Sequence, residues 1–151
     1  MAQSLSKIYI HLIFHIKTTS PVIREMDLER IHSYIGQLIN VNECNVIQVG
    51  GVGDYVHILF QLSKNVSLSH VVEEVKRKSS KWIKSLDSYY CMFEWQSGYG
   101  AFSVSQSIVA KTLQYVKNQR EHHTKRTFRE EYIDFLKIYG IEYNEEYVFR
   151  D

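Results

Sequence analysis

Tyr115 and Gln119 stand four residues apart in the stretch Leu113-Gln-Tyr-Val-Lys-Asn-Gln-Arg-Glu-His-His123. On a helix this spacing puts a phenol and an amide oxygen on one face, one turn apart. Val109, Leu113 and Val116 make the apolar stripe of that helix. At about 100° per residue, Tyr115 falls a quarter to a third of a turn from its centre, at the edge of the core or exposed. A tyrosine there serves packing or chemistry, and the helix alone does not decide which. A second stretch, Asp54-Tyr-Val-His-Ile-Leu-Phe60, reads as a strand in which Tyr55, His57 and Leu59 share a face. A His-x-His pair on a strand aims two imidazoles the same way and makes a two-ligand metal platform. With Tyr55 in the first position, the platform is incomplete. The two stretches form one site only if the fold brings them together.

The remaining chain supplies elements able to do this. Between Ser4 and Lys17 the pattern alternates, with Ile8, Ile10, Leu12, Phe14 and Ile16 on one face. Tyr9, His11, Ile13 and His15 lie on the other, mixed face, so we expect a long strand covered by helices on its aliphatic side only. Pro21 ends it. Leu28, Ile31, Ile35, Leu38 and Ile39 trace a helix over 25–40 with acidic residues in its first turn. A strand over 44–49, a glycine-rich turn over 50–54 and a strand over 55–62 read as a hairpin. Ser67 caps a helix reaching about Leu86. An edge strand and a loop fall within 89–103, a third helix runs from Ser105 to about Arg120, and a fourth from Phe128 to Tyr139 stops at Gly140. The order β-α-β-β-α-β followed by helices predicts an α+β fold with a ferredoxin-like antiparallel sheet, as one domain over 1–151.

Composition is that of an ordinary globular domain: 44% hydrophobic and 23% charged residues can bury a core without disulfides or a structural metal. Cys44 and Cys91 show no CxxC spacing, which excludes a disulfide framework and a zinc knuckle and suits a reducing compartment. No signal-peptide layout and no membrane-spanning apolar run is present, so a cytoplasmic protein with no membrane partner is expected.

The net charge is only +1, but the basic residues cluster. Lys111, Lys117, Arg120, Lys125, Arg126 and Arg129 lie together against Glu121 alone, and Lys76, Arg77, Lys78, Lys81 and Lys84 form a second group. Two such patches flanking a site suit a phosphate backbone. Arg77, Lys81, Lys111, Lys117 and Arg120 are the candidate nucleic-acid contacts. Trp95, Tyr99 and Phe102 are either stacking platforms for unpaired bases or packing residues of an aromatic loop.

Several short motifs then occur in a telling order. They are Tyr9-Ile-His-Leu-Ile-Phe14, Gly53-Asp-Tyr-Val-His-Ile-Leu59, Ser79-Ser-Lys-Trp82, Trp95-Gln-Ser-Gly-Tyr-Gly-Ala-Phe-Ser-Val-Ser105, Tyr115-Val-Lys-Asn-Gln119 with His122-His123, Phe128-Arg-Glu-Glu-Tyr132 and Tyr147-Val-Phe149. Together they resemble the single-tyrosine HUH transposases of bacterial insertion sequences, the insertion-sequence-200-like group and its REP-associated relatives. The resemblance implies that Tyr115 is the nucleophile, cleaving and rejoining single-stranded DNA through a 5′-phosphotyrosine and a free 3′-hydroxyl. It implies that His57 and Gln119 are ligands of Mg²⁺ or Mn²⁺, and that the protein binds DNA hairpins as a homodimer.

A free phenol has a pKa near ~10 and is a poor nucleophile at neutral pH, so a divalent ion at the scissile phosphate suits the chemistry. The phosphotyrosine keeps the bond energy, so the strand can be rejoined without ATP. The chain departs from the family pattern at Tyr55, where the first histidine belongs, and at Gly53, where a proline is usual. Three outcomes follow: Tyr55 ligates as a phenolate, His11 or His15 substitutes, or the metal is lost. In the last case the chain is a catalytically impaired relative that binds hairpins without cleaving them.

Overall fold

Alternating apolar residues build the central strands, and residues 2–123 and 125–150 are described by a computed structural model, with the backbone alone at 122–123. The histidine pair at 122–123 therefore falls outside the described side chains. Strands β1 (Ile8–His15), β2 (Asn45–Val52), β3 (Tyr55–Leu62) and β4 (Gly100–Val104) form one sheet in the order β2-β3-β1-β4. Each adjacent pair is antiparallel, and β1 sits between β3 and β4 with His11 opposite Leu59 and Phe102, and Ile13 opposite His57. This is the ferredoxin-like α+β arrangement predicted from the element order.

The aliphatic face of β1 packs on α1 (Glu25–Val41) and α2 (Leu68–Leu86), where Leu12, Ile31, Ile35, Ile58, Phe60, Val71, Val75 and Ile83 are buried. Burying each such side chain stabilises the fold by about 1.5–3 kcal/mol. Ser67 caps α2 by accepting from the His70 N–H. The other face is also covered, contrary to the expectation of a one-sided sheet. α3 (Val109–Lys117) lays Val116 against Tyr9 and Leu59, and α5 (Phe128–Ile138) lays Tyr132 and Leu136 against Ile13 and Phe102. A mixed strand face can be buried when its polar members pair with polar groups on the covering helices, and alternation alone does not register that.

The hairpin also differs from its sequence reading. β2 continues through Gly50 and Gly51 to Val52, and only Gly53 and Asp54 make the turn. Gly50 is in the strand because α3 ends directly on it: a Cβ there would lie 1.9 Å from the Val116 carbonyl oxygen. Gly100 in β4 serves α5 in the same way, since a Cβ would meet the Tyr132 ring at 2.7 Å.

The third predicted helix is broken. After α3, Asn118 leaves helical geometry, and α4 (Gln119–His123) starts anew. Thr127 and Glu130 form a capping box that starts α5, and Gly140 follows its end with a φ of 64°. A short α6 (Glu145–Val148) comes last.

One buried charge fastens the start of α1. Asp27, 1% exposed, accepts from Tyr90 and is paired with Arg24 and Arg30. Burial pushes its carboxyl up, but these three donors outweigh it and hold the pKa below the ordinary value. Asp27→Ala removes the anion and strands the Tyr90 hydroxyl, so a loss of about 3 kcal/mol is expected in a denaturant titration.

Candidate active site

Tyr115 and His57 meet on the sheet face covered by α3 and α5. Their ring centroids are 6.0 Å apart, and His11 lies 6.1 Å from Tyr115. The pairing is within one chain: the tyrosine helix sits against its own β3. His57 is fully buried, and its Nδ1 lies 2.8 Å from Nε2 of His11 on the neighbouring strand. Burial, and then the nearby His57, hold the His11 pKa well below its ordinary value, so His11 is neutral, and its Nε2 can accept a hydrogen bond from an Nδ1–H of His57. In that tautomer Nε2 of His57 carries a lone pair.

Opposite Nε2 stands a residue that the sequence reading did not single out. Glu131, on α5 and 4% exposed, places Oε1 2.9 Å from it. The two atoms are close without the alignment of an N–H···O hydrogen bond. The signal was present in the sequence: Phe128, Glu131, Tyr132, Phe135 and Leu136 recur at helical spacing, and one member of this apolar stripe is a carboxylate.

The Tyr115 phenol is half-buried and is raised above its ordinary pKa, first by burial, then by the charge of Glu131 and a hydrogen bond to it. A side-chain hydrogen bond from Gln119 pulls the other way and favours the phenolate. The break at Asn118 turns Gln119 inward, where it is fully buried. Its Nε2 donates to the Tyr115 carbonyl at 3.0 Å. Its Oε1 is buried with no hydrogen bond among the described residues. Gln119 thus reaches both the carbonyl and the hydroxyl of Tyr115, one turn away, across the break.

Tyr55, 1% exposed, stacks on Phe128 with ring centroids 4.7 Å apart. Burial first, and then the charges of Glu131 and Asp54, push its pKa up, which disfavours a phenolate. His15 places Nδ1 2.9 Å from the Ile16 carbonyl oxygen, and its ring packs against Phe128. Among the described residues, no three His, Cys, Asp or Glu side chains form a group able to hold a metal ion.

Beside Tyr115 opens a cleft of about 290 Å³ lined by His11, Val104, Lys111, Thr112, Phe135 and Tyr139. Of the five basic residues singled out, Lys111 lines this cleft. Lys117 and Arg120 line a groove of about 610 Å³ between α1 and β2, where Arg120 pairs with Glu25 at 2.8 Å. Arg77 and Lys81 are exposed on α2, which packs on the opposite face of the sheet from Tyr115. Arg77 pairs with Glu74 and lines a groove of about 490 Å³ with Lys17, Lys76, Lys84 and Tyr99. Among the expected stacking platforms, Trp95 and Phe102 are core residues: Trp95 packs on Phe14 and Phe93 and donates to Ser79, and Phe102 stacks on Phe135. Tyr99 alone of the three is exposed.

Comparison with known proteins agrees with this architecture. A structure from Deinococcus radiodurans R1, assigned as a transposase, aligns with a TM-score of 0.60 at 20% identity, over 79% of this chain and 98% of that one. A REP-associated tyrosine transposase bound to a REP hairpin aligns with a TM-score of 0.54 at 9% identity, over 77% of this chain and 70% of that one. At these identities the likeness is one of fold. No curated protein matches the chain significantly. The family model described as "Transposase IS200 like" matches residues 4–119, which take in the whole sheet, Tyr115 and Gln119, and the chain therefore belongs to the IS200-like transposase family.

Proposed function

We propose that this transposase cleaves and rejoins single-stranded DNA through Tyr115. The observation that carries the reading is the convergence of His57, Gln119 and Glu131 on Tyr115, which itself lines a cleft together with Lys111. The Tyr115 oxygen attacks the phosphorus and the bond to the 3′-oxygen breaks. The phenolic proton is balanced by the proton gained at the departing 3′-hydroxyl. The product is a 5′-phosphotyrosine, and reversal on a new 3′-hydroxyl joins the strands with no other energy source.

The donors fit a divalent cation. Nε2 of His57 carries a lone pair when Nδ1 donates to His11, and Oε1 of Gln119 is buried without a hydrogen bond among the described residues. His57 and Gln119 would hold Mg²⁺ or Mn²⁺, hard ions that accept oxygen and imidazole ligands. Such an ion withdraws charge from the scissile phosphate and favours the phenolate. The chain's own residues do the rest. Gln119 fixes the C-terminal end of α3 through the Tyr115 carbonyl, His11 orients His57, and Phe135 and Tyr139 wall the cleft with aromatic surface for a base.

The related fold that is bound to a REP hairpin supports a DNA hairpin as partner, and the homodimer expected from the family belongs to this reading. The grooves holding Arg77, Lys117 and Arg120 would track the phosphates, so binding falls steeply with salt. Incubation with labelled hairpin-bearing single strands and Mn²⁺, then a denaturing gel, tests the reading. A covalent adduct whose peptide maps to Tyr115 is expected; attachment at another residue overturns the assignment. Tyr55, packed on Phe128, favours a second reading in which hairpins are bound and left intact. Binding without an adduct, with cleavage restored by Tyr55→His, would select it.

A further inference from the structure

We infer that Glu131 replaces the missing histidine as the anionic ligand of the divalent-cation site, completing a set with His57 and Gln119. The inference rests on the reading of His57 and Gln119 as metal ligands and concerns this chain's own substitution. Each alternative visible in the sequence is otherwise engaged. Tyr55 turns its ring onto Phe128 in a buried stack. His11 directs Nε2 at Nδ1 of His57 and so orients the ligand from behind. His15 lies between Phe128 and Phe149, with Nδ1 on the Ile16 carbonyl.

Glu131 is where those residues are not. Its Oε1 lies 2.9 Å from Nε2 of His57 and off the axis of a hydrogen bond. An imidazole nitrogen and a carboxylate oxygen are both ligand atoms for a divalent cation, and here they stand side by side. Neighbouring ligands of an octahedral ion with bonds of about 2.1 Å are separated by roughly 3 Å. Gln119 and Glu131 both reach the Tyr115 hydroxyl, which brings the third donor into the same small volume. Tyr55 and Glu131 are also coupled through packing. Phe128, one turn before Glu131 on α5, is the residue on which Tyr55 stacks, so the ring at the vacated histidine position helps seat the helix that brings the carboxylate. A carboxylate in place of an imidazole gives the site one negative charge and shifts its preference toward hard cations.

The test is Mn²⁺ binding to the full chain without DNA, by isothermal titration and by loss of the free-ion paramagnetic resonance signal. Wild type is expected to take up one ion per chain. Glu131→Gln, which keeps the shape, should weaken binding at least ~10-fold. Glu131→Asp should retain part of the affinity, which guards against a folding failure of the first variant. Tyr55→Phe should bind within about twofold of wild type, because its ring remains stacked. Unchanged affinity in Glu131→Gln, with loss in His57→Ala, overturns the role of Glu131 and leaves the metal site standing. Loss in Tyr55→Phe assigns the ligand to Tyr55 and overturns it as well. No uptake by wild type, or equal uptake by His57→Ala, removes the metal site itself, and the Tyr115 adduct is then judged separately.

Discussion

Tyr115→Phe is expected to abolish the covalent adduct, with a fall of at least ~10³-fold in the rate of strand cleavage, while hairpin binding changes by less than about twofold. The substitution deletes one oxygen and leaves the ring that packs against His11, His57 and Phe135. The fold is retained, because the contacts of α3 with the sheet run through Val116 and Leu113. The hydrogen bond to Glu131 is lost, which costs about 1 kcal/mol of stability. Quantitative gel assays of adduct and fluorescence anisotropy of a labelled hairpin separate the two effects. An adduct that persists in Tyr115→Phe would move the nucleophile elsewhere.

Gly50→Ala is expected to give the next largest effect, from a residue that makes no chemical contact. The added Cβ would stand 1.9 Å from the carbonyl oxygen of Val116, and backbone on both sides cannot yield without moving α3. Tyr115 precedes Val116 and Gln119 follows it by three residues, so both shift with it. A displacement of about 1 Å at a reacting group costs on the order of 10²-fold in rate. Overpacking of a rigid seat costs about 1–3 kcal/mol. Gly36→Ala is the control: its Cβ would meet Val46 at an ordinary 3.6 Å, and alanine is the better helix former by up to ~1 kcal/mol. Urea titration and adduct rate should therefore fall together in the first variant, and the second should be unchanged or stabilised. Full cleavage in Gly50→Ala would show that the position of α3 is not what limits the reaction.

Much of this architecture is readable without coordinates because it rests on local periodicity. The alternation of Ile10, Leu12 and Phe14 demands a strand, and Leu28, Ile31, Ile35 and Ile39 demand a helix; both are present where the pattern puts them. The capping serine at 67 and the glycine at 140 mark helix ends for equally local reasons. The ordered motifs from Tyr9 to Phe149 carry the family, and the family model matching 4–119 agrees.

What periodicity does not hold is the relation between distant segments. The glycines at 50 and 51 read as a turn because glycine favours turns, whereas Gly50 is in a strand because a helix terminus 66 residues later needs the space. Trp95 and Phe102 read as stacking platforms, yet they are core, because the loop that bears them folds onto Phe14 and Phe135. The basic residues of α2 and α3 cluster in type, but the sheet separates them onto opposite faces.

The sheet, the helices on its aliphatic face, the family, and the pair of chemical groups Tyr115 and Gln119 can be read from the chain before it folds. Those follow from side-chain alternation, helical spacing and motif order, which are properties of neighbours along the chain. That α5 closes the second face of the sheet is visible only in the folded molecule. That packing seats Tyr55 on Phe128 and brings Glu131 to 2.9 Å from His57, across 74 residues of sequence. The reason is physical: a buried carboxylate is stable only beside polar partners such as the imidazole and phenol it meets there, and those partners lie on two other elements.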